Sequence, residues 1–76
     1  MPHVIVKLYS GRSNQQKARL AEEVTKAVVA TLGYGEESVS VVIEDVEPKD
    51  WAEKLYKPDI LGKPDTIHKT PGYNSL

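Results

Sequence analysis

The alternation of apolar and polar positions along this chain changes period twice. From His3 to Leu8, Val4, Val6 and Leu8 fall on one face of an extended backbone and Ile5 on the other. The β-branched content and the period of two predict a strand, with both faces at least partly covered. Tyr9-Ser10-Gly11-Arg12 breaks the alternation, and Gly11 permits a turn. Leu20, Ala21, Val24, Ala27, Val28, Thr31 and Leu32 then recur at three- and four-residue spacings. That spacing predicts one apolar stripe on a helix of about five turns. Lys17, Glu22, Glu23 and Lys26 are assigned to its opposite face. Ser13 and Gln16 have the form of a capping box at its start, and Gly33 suits the position just past its end. A period of two returns from Ser38 to Val46, with Val39, Val41 and Ile43 on one face and Ser40, Val42, Glu44 and Val46 on the other. Pro48 can open a short helical turn reaching Leu55. Past Tyr56, Pro58, Gly62, Pro64, Pro71 and Gly72 punctuate the chain, and an extended tail with turns is expected over 56–76.

Strand, long helix, strand predicts an α+β fold built on one β-α-β unit, with parallel strands and a right-handed crossover. Two strands and one helix cannot close a core, and a two-stranded sheet is marginal by itself. The sheet is therefore expected to be completed by pairing with another subunit, which also covers its edges.

Composition strengthens that expectation. The 76 residues predict a single domain over 1–76, its core spanning 2–55. A chain this short buries only ~60% of its unfolded surface. It has no cysteine, so neither a disulfide framework nor a thiolate metal site can add stability. Self-association is the remaining source. A net charge of −1, with 28% charged residues of both signs, gives no basic footprint for nucleic acid. No run is long enough to span a membrane, and the start lacks the pattern of a secretory leader. A cytoplasmic homo-oligomer without membrane or nucleic-acid partners is the expectation. His3 and His68 form no ligand motif, and the chain has no phosphate-cradling glycine loop, so no cofactor or metal is expected.

Pro2 is the residue with the most unusual chemistry open to it. Removal of Met1 would leave a secondary amine at the head of an apolar strand. Such an amine serves as a base near neutral pH when burial or a nearby guanidinium disfavours its ammonium form. From position alone, a proline that merely begins a strand is the plainer reading. Arg12, one of two arginines, lies just before the helix, where its planar fork and the helix N-terminus both suit a carboxylate; a solvated loop arginine is the alternative. Arg19 reads as a surface side chain. Trp51, the only tryptophan, suits the wall of an apolar pocket or an interface. Glu44, Asp45, Glu47, Asp50 and Glu53 read as a solvated acidic edge, with Glu53 a candidate to activate water. Ser10, Ser13, Ser38 and Ser40 have no histidine–carboxylate partner at a legible spacing, which argues against a serine nucleophile.

Taken together, Met1-Pro2-His3, the short apolar strand, Gly11-Arg12-Ser13 with Gln16-Lys17, the helix, and Ser38-Val39-Ser40-Val41-Val42-Ile43 resemble the 4-oxalocrotonate tautomerase family. The match covers roughly residues 2 to 55. The resemblance implies a β-α-β fold that pairs into dimers, often assembled into hexamers. It also implies a cofactor-independent isomerase that moves a proton between oxygen and carbon of 2-hydroxydienoates or enols of 2-oxo acids. By position, Pro2 matches the general base, Arg12 the carboxylate-binding arginine and Trp51 an aromatic pocket wall. Ser40 stands where the prototype has a second arginine. This departure favours a mono-acid with an aromatic or apolar tail, such as a phenylpyruvate enol, over a dicarboxylate. Ser40, Trp51, His3 after the proline, and the Pro71-Gly72-Tyr73 ending are similar to the dimeric PptA-type branch, where His3 could hydrogen-bond substrate. Two alternatives stay open. One is a chloroacrylate-type dehalogenase or hydratase using Glu53, although Lys7-Leu8-Tyr9 lacks the extra arginine of that group. The other is a non-catalytic oligomeric binding module.

Overall fold

The computed structural model describes residues 1–72, so Tyr73 of the expected ending lies outside the described residues. The chain groups into two compact units, one spanning Met1–Asp45 and one beginning at Val46. The first is the β-α-β unit: strand β1 (His3–Tyr9), helix α1 (Asn14–Leu32), a single 3-10 turn (Glu36–Ser38) and strand β2 (Ser40–Val46). The strands pair directly in a two-stranded sheet. They run parallel, and the Ser40 N–H donates to the Pro2 carbonyl at 3.1 Å where both strands begin. The second strand starts two residues later than its alternation suggests, because Glu36–Ser38 coils first. Ser38 closes that coil by donating its N–H and its hydroxyl to the Gly35 carbonyl.

Local chemistry accounts for the helix ends. Ser13 accepts from the Gln16 N–H at 3.1 Å, and the Gln16 side chain accepts from the Ser13 N–H at 3.1 Å, closing the capping box. Gly33 ends the helix at φ 78°, a left-handed conformation only glycine takes without strain, and donates to the Val29 carbonyl. Gly11, at φ 119°, makes the turn that carries the chain from β1 toward the cap.

The sheet-facing side of α1 differs from the predicted stripe. Ala21, Val24, Thr25, Val28 and Val29 are the half-buried positions, whereas Leu20, Ala27, Thr31 and Leu32 are exposed. Two strands are too narrow to cover the full apolar arc. Lys17 also moves from its expected solvent face to the sheet side. Its side chain is 20% exposed and its ammonium pairs with Asp45 at 2.8 Å, at the far end of β2. The aliphatic stem packs while the charge finds a carboxylate. Val4, Val6, Leu8, Val41 and Ile43 are half-buried, while Ile5 and Val42 are exposed, so the outer face of the sheet is open in one chain. No apolar side chain of this unit is fully buried; among the described residues the buried ones are Leu55 and Tyr56, both in the second unit.

In that second unit, Pro48 opens a 3-10 turn (Pro48–Asp50) as expected, but the chain does not then extend. It winds from Trp51 to Leu61 as a π-type helix, closed by the Gly62 N–H on the Lys57 carbonyl at 2.7 Å. Pro58 sits inside it. In an α-helical turn its ring would meet a carbonyl four residues back, and a wider turn relieves that clash. Ion pairs one turn apart, Lys54 with Asp50, Lys57 with Glu53 and Lys63 with Asp59, run along the same stretch. A last 3-10 turn covers Pro64–Thr66. The expected extended tail is thus helical over much of its described length. No helix among the described residues is long and apolar enough to cross a membrane.

Candidate active site

Pro2 is half-buried at the head of β1, and Met1 before it is 91% exposed. The Ser40 N–H that binds the Pro2 carbonyl holds this end of the chain against β2. Parallel pairing in this register sets residues 3 and 40 side by side. His3 Nδ1 lies 2.6 Å from Ser40 Oγ, and both side chains are exposed. Sequence spacing concealed this bond, because its partners lie 37 residues apart and meet only once the crossover is complete. The serine for which no histidine partner was legible has one. Among the described residues, though, no carboxylate completes a triad with them.

Arg12 lies at the opposite end of β1, beside the helix cap. With Leu8, Gln16, Lys17 and Leu20 it lines an open, largely apolar cleft of ≈ 250 Å³. Of the two cations there, Lys17 is committed to Asp45. Arg12 is exposed and has no ion pair among the described residues. The cleft therefore offers one uncommitted guanidinium beside two leucines, next to a helix N-terminus that also favours anions. Its apolar walls were not read from the sequence. The sequence places Leu8 on one strand face and Leu20 on the helix's apolar stripe, and in the structure both line the cleft.

The structure brings Pro2, His3 and Ser40 together and holds Arg12 apart from them. Seven residues of strand at about 3.3 Å each separate the two clusters by roughly 23 Å. Trp51 begins the π-type helix and is half-buried in the second unit. Glu53 accepts from Lys57 Nζ at 2.7 Å in an exposed ion pair within the second unit. Among the described residues no group of three or more His, Cys, Asp or Glu side chains gathers to hold a metal ion.

Residues 2–54 match the family model described as tautomerase enzyme. The chain is 41% identical over 76 residues to a protein named "Probable tautomerase" from Xylella fastidiosa, spanning all of this chain and 93% of that protein. It is 36% identical over 74 residues to tautomerase PptA of Cronobacter sakazakii, covering 96% of this chain and 97% of the relative. Among solved structures it resembles TomN, a 4-oxalocrotonate tautomerase homologue of the tomaymycin biosynthetic pathway. That likeness has a TM-score of 0.65 and 42% identity, over 66% of this chain and 77% of TomN. Fold and relatives agree: the chain belongs to the tautomerase family and is an isomerase.

Proposed function

We propose that the protein is a cofactor-independent tautomerase of enols of 2-oxo acids carrying a single carboxylate and an apolar or aromatic body, with Pro2 as general base once Met1 is removed. The supporting observation is the tethering of Pro2. Its carbonyl is bonded to Ser40 N–H at the sheet's edge while Met1 projects into solvent, so removing that residue frees the ring nitrogen without disturbing the strand. Pro2 is half-buried, and partial loss of water is the kind of setting that disfavours the ammonium form of such a base. In the enol-to-keto direction, the neutral amine takes the proton from the enol oxygen and the resulting prolinium delivers it to carbon. One O–H bond breaks, one C–H bond forms, and the base ends as it began.

The Arg12 cleft supplies the carboxylate anchor, and its apolar walls fit a body without a second charge. Because Arg12 and Pro2 sit at opposite ends of one strand, a complete site needs Arg12 from one copy beside Pro2 of another. Antiparallel pairing of two sheets, as a dimer or within a hexamer, brings those ends together. It would also cover the exposed outer residues and allow Trp51 to wall a pocket at the subunit boundary. Ser40, a neutral donor where the prototype's second arginine polarises the substrate carbonyl, supports the same mono-acid class.

The test is a panel of enols, 2-hydroxymuconate and phenylenolpyruvate among them, together with 3-chloroacrylate, on protein whose loss of Met1 is confirmed by intact mass. Ketonisation of the mono-acid enol, abolished in Pro2→Ala, is expected. Full activity in Pro2→Ala would remove the proline from the mechanism. Chloride release as the main activity would replace the tautomerase reading with a hydrolytic one.

A further inference from the structure

We propose that His3 is a positioning residue of the tautomerase site: its Nδ1 fixes the direction and polarity of the Ser40 hydroxyl, and that hydroxyl holds the substrate oxygen that alternates between hydroxyl and carbonyl. This rests on the reading of Pro2 as the base, and adds a group at the oxygen end of the reaction.

The geometry carries it. A serine hydroxyl alone is a rotor with one donor and two acceptor directions. The 2.6 Å contact with His3 Nδ1 occupies one of those directions and leaves the others for a ligand. The Ser40 N–H bond to the Pro2 carbonyl fixes where that rotor sits. Base and hydroxyl are thereby mounted on two backbone segments joined by one main-chain and one side-chain bond. Both side chains are exposed in the chain, so the remaining valence of the hydroxyl is accessible.

The chemistry explains why an imidazole belongs there. A substrate oxygen that is an enol hydroxyl donates a hydrogen bond; after ketonisation the same oxygen accepts one. Arginine only donates, and so matches one of the two forms. With Nδ1 protonated, His3 donates to Ser40 Oγ, and the serine O–H is free to donate to a carbonyl. With Nδ1 bare, Ser40 donates to the ring, and its lone pairs accept from an enol until the amine of Pro2 takes that proton. The two arrangements differ only in which ring nitrogen carries the proton. They interconvert by exchange with water at the exposed ring, one proton leaving one nitrogen as another arrives at the other. No heavy-atom bond is made or broken. The pair therefore suits a neutral oxygen whose role reverses during turnover.

A double-mutant cycle tests this. His3→Ala, Ser40→Ala and the double variant are compared on Met-processed protein, following ketonisation of phenylenolpyruvate. His3→Phe keeps the ring volume on the strand should the alanine variant fold poorly, and His3→Asn restores a polar atom near the position of Nδ1. Each single loss is expected to lower kcat by about tenfold with KM within about twofold, the size of one lost positioning hydrogen bond. The double variant is expected to be no worse than Ser40→Ala, and His3→Asn to recover most of the rate. Additive losses in the cycle, a change confined to KM, or unchanged kcat in both His3→Ala and His3→Phe would overturn the proposal. Pro2→Ala is run in parallel. Full activity there would overturn the base assignment and this proposal with it, whereas lost activity there alongside an additive cycle would overturn this proposal alone.

Discussion

Truncating Arg12 should damage binding of the substrate acid far more than the chemical step. A carboxylate hydrogen-bonded to a guanidinium gains about 1.5–3 kcal/mol. Arg12 is exposed at the rim of an open cleft in one chain, so the lower end, about 1.5 kcal/mol, is the least expected of a site that a second copy would cover further. By the usual conversion of about 1.4 kcal/mol per decade, Arg12→Ala raises KM at least about tenfold. The neighbouring N-terminus of α1 still attracts the carboxylate by about 0.3–1 kcal/mol, which offsets part of the loss. Lysine restores the charge without the two-pronged geometry, so Arg12→Lys should fall between the two. The assay is the decay of enol absorbance over a substrate series at low and at near-molar salt. The wild-type KM should rise toward that of the alanine variant as salt increases. The side chain takes no part in the capping box, so melting temperature should be unaltered. An unchanged KM, or a fall in kcat alone, would refute the anchoring role.

Other perturbations probe the scaffold. Ser13→Ala removes the acceptor for the Gln16 N–H and should cost about 1 kcal/mol, a melting-temperature drop of about 4–8 °C in a chain this small; Ser13→Asp should largely restore it. Ile5 is 52% exposed on the open sheet face, and burying that remainder against a second copy is worth on the order of 2 kcal/mol. Ile5→Lys should therefore shift the association midpoint to at least tenfold higher concentration in sedimentation experiments, and an unaltered midpoint would exclude this face from the interface. The Lys26 charge, and then the Arg19 hydrogen bond, hold the Glu23 carboxyl below its ordinary value. A depressed acid contributes stability above its unfolded value and loses it as pH falls through the folded one. Melting curves of wild type and Glu23→Gln should thus differ slightly at neutral pH and converge in acid.

The parts of the fold legible in the sequence are those decided by near neighbours. Ser13 with Gln16 and Gly33 marked the helix ends because caps are local, and the β-α-β order followed from two changes of period. Lys17 was assigned to the wrong face, since its partner Asp45 lies on the other side of the crossover. Pro58 read as the end of helical structure, yet a wider turn takes it in, and periodicity carries no sign of such a turn. At the site, Pro2 and Arg12 stand out by residue type and position, and Ser40 only through the resemblance to tautomerases. The contact of Ser40 with His3 does not stand out, because it exists only in one strand register. The resemblance to tautomerases supplied roles that periodicity alone left open.

The tether between Pro2 and Ser40 has a practical consequence for anyone who makes this protein. Anything left joined ahead of the proline, whether an affinity tag, a cloning scar or the start residue itself, turns the ring nitrogen into an amide without unseating the strand. With Pro2 as the proposed base, such material would fold and melt like the processed protein while showing no tautomerase activity. Purification handles belong at the other end of the chain, and a silent preparation should be weighed by mass spectrometry before its sequence is blamed.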